Sequence, residues 1–160
     1  MENPNNQVVD LLISHNQILV RSRAYSEKLS QWGKENIEQG AVIHKDYVIF
    51  DPLPDEAFGA NVVLNLTDNF VMDENTQRCI VTPFYINNSN NVEIASAAEK
   101  FKINIAFDRS LYDLYYEICE NDEVFYKFTF VPAETPIIAR YLIDDPWGGE
   151  KDKALKLGFL

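Results

Sequence analysis

The chain has 160 residues, a formal net charge of −11 from 25 acidic against 14 basic side chains, and a pI near 4.5. That balance argues against a surface that tracks nucleic-acid phosphates, because such surfaces are built from Lys and Arg that displace counterions; an acidic domain attracts basic protein surfaces instead. A composition of 46% hydrophobic and 12% aromatic residues is enough to close one core without disulfide or metal staples, since single domains commonly occupy about 100 to 200 residues.

After a lead-in over residues 1 to 7, Leu11-Leu12-Ile13 and Ile18-Leu19-Val20 read as one long bent strand or as a hairpin. A helix is predicted from Ser26 to Gly40: Ser26 or Ser30 can cap it, Leu29, Trp32 and Ile37 share roughly one face, and Gly40 can stop it. Trp32 is expected to anchor that helix to a sheet. Ala41–Ile43 and Tyr47–Phe50 flank His44-Lys45-Asp46 as strand, tight turn and strand. Further strands are predicted at Ala60–Leu66, with Val62, Leu64 and Leu66 facing inward, and at Arg78–Ile86, with Ile80, Phe84 and Ile86 inward. Pro83 should mark an edge or a bulge. An open turn at Asn87–Asn91 leads to a short strand at Val92–Ile94.

The densest pattern runs from Phe101 to Phe130. Phe101, Ile103, Ile105 and Phe107 alternate with polar or small residues; Tyr112, Leu114, Tyr116 and Ile118 alternate with Asp113, Tyr115 and Glu117; Tyr126, Phe128 and Phe130 alternate with Lys127 and Thr129. Three neighbouring antiparallel strands are expected, with short polar hairpins between them. A last strand is placed at Ile137–Ile143, and residues 144–160 form a C-terminal extension. The whole reads as all-β: an antiparallel β-sandwich, or an open barrel, with one short early helix, in a single domain over residues 1–160.

Cys79 and Cys119 are too few and too far apart for a disulfide framework or a zinc cluster, and read as reduced core thiols. With no basic and apolar leader at the N-terminus and no apolar run of about 18 residues, the expectation is a cytoplasmic protein without membrane insertion. His15 and His44 stand in no nucleophilic arrangement, and no metal spacing or glycine-rich phosphate loop is present, so neither catalytic residues nor a metal or other cofactor are expected.

What remains is distributed acid. Between Asp108 and Glu123 lie six carboxylates against one base, Arg109. Asp113, Tyr115 and Glu117 point to one side of the middle strand, Glu120, Asp122 and Glu123 surround the next turn, and Asp144, Asp145 and Trp147 form a second acidic turn with an aromatic. These nine residues are the candidate partner-binding set. They read either as a solvated face or as a docking face for a basic protein, with Tyr115 as anchor and the acids steering the encounter. A small-ligand or carbohydrate-binding sandwich, with a pocket lined by Tyr115, Tyr116 and Trp147, is the alternative.

Several stretches resemble the competence protein J family, the DNA-entry nuclease inhibitors. They are Leu11-Leu12-Ile13-Ser14-His15-Asn16-Gln17, Trp32 with Glu35-Asn36-Ile37-Glu38-Gln39-Gly40, Tyr47-Val48-Ile49-Phe50, Val81-Thr82-Pro83-Phe84-Tyr85-Ile86 and Leu111-Tyr112-Asp113-Leu114. The resemblance implies a small β-rich bacterial protein that binds and blocks a metal-dependent, sequence-nonspecific DNase. The partner is then a basic nuclease or nuclease toxin, with no direct binding of nucleic acid. No inhibitory residue carries over from the family, so the nine positions rest on charge and alternation alone. The Asp144-Asp145-Pro146-Trp147-Gly148-Gly149 turn and the tail after it extend beyond the shortest members.

Overall fold

The computed structural model describes residues 5–13, 17–53, 59–87, 91–97 and 99–158. Among them, eleven strands and one helix follow in chain order: β1 (Asn6–Leu12), β2 (Ile18–Arg21), α1 (Lys34–Gln39), β3 (Ala41–Ile43), β4 (Tyr47–Phe50), β5 (Gly59–Leu66), β6 (Thr76–Tyr85), β7 (Glu93–Ala95), β8 (Lys100–Lys102), β9 (Leu111–Glu120), β10 (Val124–Pro132) and β11 (Arg140–Tyr141). Six form one sheet in the order β1-β5-β10-β9-β6-β11, and five form another in the order β3-β4-β2-β7-β8. The fold is an all-β sandwich. Its neighbours are antiparallel with one exception: β5 and β10 run parallel.

Period-two alternation decides what lies between the sheets. Tyr112, Leu114, Tyr116 and Ile118 of β9 and Tyr126, Phe128 and Phe130 of β10 are all buried, and they meet Val20, Val48, Phe50 and Ile94 of the opposite sheet in one cluster. The Phe50 and Tyr116 rings stack across the gap, 4.2 Å apart at 17°. Burying each such ring stabilises the fold by about 1.5–3 kcal/mol, provided that the phenol hydroxyls are satisfied. They are: Tyr116 donates to the Asp51 carbonyl (3.2 Å) and Tyr126 to the Pro52 carbonyl (3.0 Å).

Three expectations change. Of the two readings of the runs around Leu11 and Ile18, a bent strand or a hairpin, the hairpin is excluded: β1 pairs with β5, whereas β2 pairs with β4 and β7 in the other sheet. Phe101–Phe107 keeps its alternation, with Ile103, Ile105 and Phe107 buried, but only Lys100–Lys102 joins a ladder, and that ladder is with β7 rather than β9. Hydrophobic alternation reports which side is dry, and a segment that plugs the rim of a sandwich satisfies it as well as a strand does.

The helix is also shorter than predicted. Residues 26–30 form a turn held by Ser30 N–H to the Ser26 carbonyl (3.1 Å), with the Ser30 and Tyr47 hydroxyls 2.6 Å apart. Gly33 then adopts extended backbone, and α1 begins only at Lys34. Leu29 and Trp32 do pack against the sheet, on Leu19, Val42, Tyr47, Ile49 and Ala95, but Ile37 is 63% exposed. Gly40 closes α1 at φ +80°, a left-handed conformation that favours glycine, and a side chain there would strike the Arg78 guanidinium.

Pro83 sits where its missing N–H does no harm. Cys79 accepts from Leu142 and Tyr85 donates to Lys45, so alternate residues of β6 turn their backbone away from β9. Pro83 falls in that set, beyond the end of β11 at Val81.

The C-terminal segment folds back onto the sandwich. Asn36 Nδ2 donates to the Gly158 carbonyl (2.8 Å), the Tyr141 hydroxyl to the Gln39 carbonyl (2.6 Å) and Gly158 N–H to the Ile43 carbonyl (2.7 Å), while Leu155 enters the core. At its centre is a buried ion pair. Arg78 Nε and Nη2 grip the two oxygens of Asp145 at 2.7 and 3.0 Å, with side-chain exposures of 2% and 0%. The guanidinium is flanked by the rings of Tyr141 (5.2 Å) and Trp147 (5.8 Å). Burial alone would raise the Asp145 carboxyl, but Arg78 and the Gly149 and Trp147 N–H groups outweigh it and hold the carboxyl below its usual range.

A carboxyl depressed in the folded state adds stability above its unfolded pKa of about 3.9, and that stability is lost as pH falls through the folded value. Asp145→Asn strands a buried guanidinium and is expected to cost about 3–5 kcal/mol at neutral pH. In urea titrations the gap between wild type and variant should narrow below about pH 4; a gap that is small at neutral pH, or that persists undiminished in acid, would contradict this role.

Candidate functional site

Chain direction decides which acids can be reached. β9 is antiparallel to both β6 and β10, and β5 is parallel to β10, so β5 and β6 run the same way. The chain leaving Leu66 must therefore travel back along the sheet before it can enter β6. Residues 67–75 make that passage across the outer face of the six-stranded sheet. Thr67 N–H donates to the Phe130 carbonyl (3.1 Å) at one end, the Phe70 ring stacks on Tyr115 midway (3.9 Å, 6°), and the Asn75 carbonyl accepts from Glu120 N–H (3.1 Å) at the other.

This crossing loop occupies the face that alternation assigned to a partner. Tyr115 lies half-buried under Phe70. Glu117 is fully buried: its Oε2 accepts from Asp73 N–H (2.9 Å) and from the Thr76 hydroxyl, while Oε1 has no partner among the described residues. Lys127 faces Asp73 at 3.4 Å. Asp113 is half-buried with Oδ1 unpartnered among the described residues; burial raises its carboxyl and Arg140 opposes the rise. Its face is a covered one, and the expectation that Asp113, Tyr115 and Glu117 stand together in solvent is corrected.

Asp145 is likewise committed to Arg78. Trp147 is half-buried beside the same guanidinium, and Asp144 is exposed and accepts from Lys151 N–H (2.9 Å). The pocket imagined from Tyr115, Tyr116 and Trp147 does not form, because Tyr116 is in the core and Tyr115 is covered.

Glu120, Asp122 and Glu123 are exposed at the turn between β9 and β10, the end of a long antiparallel ladder. The turn is shaped locally: Asn121 Oδ1 accepts from Glu123 N–H (3.1 Å), which fixes the backbone that carries Asp122 and Glu123. The crossing loop adds a fourth exposed carboxylate, Glu74, next to the Asn75 contact with Glu120. None of the four takes part in an ion pair among the described residues. Sequence reasoning missed Glu74 because only the crossing brings it to this end of the sheet.

The acidic end adjoins a small cleft of about 200 Å3, lined by Gln77, Ile118, Glu120, Val124, Pro146 and Trp147. So the structure brings Glu120 of the hairpin and Trp147 of the C-terminal turn together, two residues that are remote in sequence. Elsewhere, His44 lies in an apolar groove of about 590 Å3 with Ile43, Pro83, Ile138, Leu155 and Leu157. Burial lowers the His44 imidazole, and its Nε2 has no partner among the described residues. His15 lies outside the described residues.

Among the described residues no group of three or more His, Cys, Asp or Glu is placed to hold a metal ion, and no helix is long and apolar enough to cross a membrane. Cys79 and Cys119 are buried and unpaired, with burial pushing the Cys119 thiol up to about 12, far from a reactive thiolate.

The sequence profile described as Competence protein J (ComJ) matches residues 10–131. The chain belongs to the competence protein J family. None of the curated proteins matches it in sequence. Among solved structures, the crystal structure of ComJ from Bacillus subtilis, an inhibitor of the DNA-degrading activity of NucA, superposes with a TM-score of 0.66 at 17% identity, covering 79% of this chain and 96% of that one. At that identity the likeness shows a shared fold. The acidic hairpin lies inside the stretch that matches competence protein J, whereas Pro146 and Trp147 lie beyond it.

The covered and the exposed acids should separate in stability measurements. Glu117→Ala leaves the Asp73 N–H and Thr76 hydroxyl without their acceptor and is expected to cost about 1–3 kcal/mol. Glu120→Gln should stay within about 0.5 kcal/mol of wild type. Equal effects of the two in urea unfolding would mean that the crossing loop does not seal the face.

Proposed function

We propose that this protein is a non-catalytic inhibitor of a basic, metal-dependent, sequence-nonspecific DNA nuclease, and that it docks through the acidic end of the six-stranded sheet. The observation that carries the reading is the set of four exposed carboxylates, Glu74, Glu120, Asp122 and Glu123, that enter no ion pair among the described residues, at one end of a scaffold that belongs to the competence protein J family. The Bacillus subtilis ComJ that shares this fold inhibits the DNA-degrading activity of NucA.

The physics supports the pairing. A nuclease that cuts any DNA binds backbone phosphates with Lys and Arg. A rigid hairpin bearing several carboxylates offers the same charge to the same cations, without a scissile bond. The hairpin backbone is held by the ladder with β9 and by the Asn121 turn, so little ordering entropy is lost on docking. Opposed fields raise association rates by about 10- to 1,000-fold at low salt, and the gain fades as the Debye length shrinks to about 8 Å near physiological ionic strength. Glu117 and Asp145 contribute through folding rather than contact.

The test is DNA cleavage by nonspecific nucleases encoded in the same genome, with purified protein added at increasing salt. Stoichiometric inhibition that weakens with salt is expected for at least one nuclease. Replacing Glu120, Asp122 and Glu123 together by their amides should slow association about 10- to 100-fold while changing dissociation less. Inhibition that is indifferent to both salt and these substitutions would rule out the acidic end as the docking surface.

A second reading, binding of a small apolar ligand, is favoured only by the groove beside His44. It predicts a rise in melting temperature with apolar ligands that is lost on narrowing the groove with Leu157→Trp; no such rise across a broad apolar library would remove it.

A further inference from the structure

The cleft between the hairpin and the C-terminal turn has the chemistry of a socket for one cationic side chain. It is lined by the apolar residues Ile118, Val124, Pro146 and Trp147 together with Glu120 and Gln77, and its volume is about 200 Å3. A lysine or arginine side chain matches that lining in kind: an aliphatic stem suits apolar side chains, an indole suits a cation, and a carboxylate takes its charge.

The protein already contains one solved case of this recognition. The same indole lies 5.8 Å from Arg78, whose charge is taken by Asp145. Trp147 is held in place by this internal pair and by its own N–H donated to Asp145 (2.9 Å), so one wall of the cleft is fixed before any partner arrives. Glu120 is exposed and enters no ion pair among the described residues, and the neighbouring exposed acids Glu74, Asp122 and Glu123 keep anions away from the mouth.

We infer that Glu120 and Trp147 form a specificity pocket that receives a single Lys or Arg side chain projecting from the basic protein partner. This deepens, and for its biological meaning rests on, the reading of the acidic end as a docking surface. Four of the six lining residues, Gln77, Ile118, Glu120 and Val124, come from the stretch matched to competence protein J and two, Pro146 and Trp147, lie beyond it, so the hairpin supplies general attraction to a basic surface whereas the added turn selects where one cation must stand.

The probe is N-acetyl-arginine amide, with N-acetyl-lysine amide beside it and the neutral isostere N-acetyl-citrulline amide as control, titrated into isotopically labelled full-length protein and read by NMR. Saturable shifts are expected at the Trp147 indole N–H and the Glu120 amide with both cations and not with citrulline. In Glu120→Gln, whose exposed side chain is dispensable for folding, the affinity should fall about tenfold. Trp147→Phe, which keeps a ring against Arg78, should weaken binding less than Trp147→Ala.

Shifts spread evenly over all exposed acids, equal response to citrulline, or no change in Glu120→Gln would overturn the pocket. Because no nuclease is present, the outcome is independent of the inhibition assay. Inhibition without a cation pocket, and a cation pocket without inhibition, are separately visible.

Discussion

The common direction of β5 and β6 is the constraint on which this molecule turns. Two strands of one sheet that run the same way, with β9 and β10 between them, cannot be joined by a tight turn, so residues 67–75 must cross the sheet. The crossing converts what would be a solvated face into a second, thinner interior. It places Phe70 on Tyr115 and Asp73 and Thr76 on Glu117, and it delivers Glu74 to the hairpin end. Acids of the same strand have different roles: Glu117, on the outer face, holds the crossing loop down, whereas Glu120, on the alternate face beyond Ile118 at the end of β9, is left to solvent.

A second buried carboxylate performs the corresponding task for the C-terminal segment. Asp145 draws the turn at residues 144–149 onto Arg78, and the small residues around it follow from that closeness: a side chain on Gly40 would collide with the guanidinium and one on Gly149 with the Asp145 carboxylate. The ion pair is costly to break rather than strongly stabilising in itself, since two charges have been taken out of water to make it. Its contribution is geometric, fixing Trp147 beside the acidic hairpin.

Much of the core was legible in the alternation of apolar residues. Tyr112, Leu114, Tyr116, Ile118, Tyr126, Phe128 and Phe130 all face inward, as a period of two requires, and Trp32 anchors its segment to the sheet. What alternation could not convey is which sheet a strand joins, because β1 and β2, or β8 and β9, separate by forces that act between segments far apart in the chain. The early helix is shortened for the same reason: Tyr47, a strand residue, holds the Ser26–Ser30 turn. The candidate site was half legible. Charge located Glu120, Asp122 and Glu123 on the hairpin turn, but exposure of Asp113, Tyr115 and Glu117 was inferred from an opposite-face rule that holds only where nothing crosses that face, and Asp145, read as part of an acidic turn, is drawn inward by Arg78, which is remote in sequence.

The resulting picture is of a β-sandwich in which two buried acids, Glu117 and Asp145, hold loops, and in which four exposed acids stand together at the turn between β9 and β10, next to a small cleft lined in part by Trp147. The most direct test is a hydrogen-exchange footprint of the protein with and without a nuclease that it inhibits. Protection confined to residues 120–124, the neighbouring residues 73–77 and the turn at residues 144–149 is the expected result. Protection centred on the five-stranded sheet or on the groove beside His44, with the hairpin unchanged, would contradict the account.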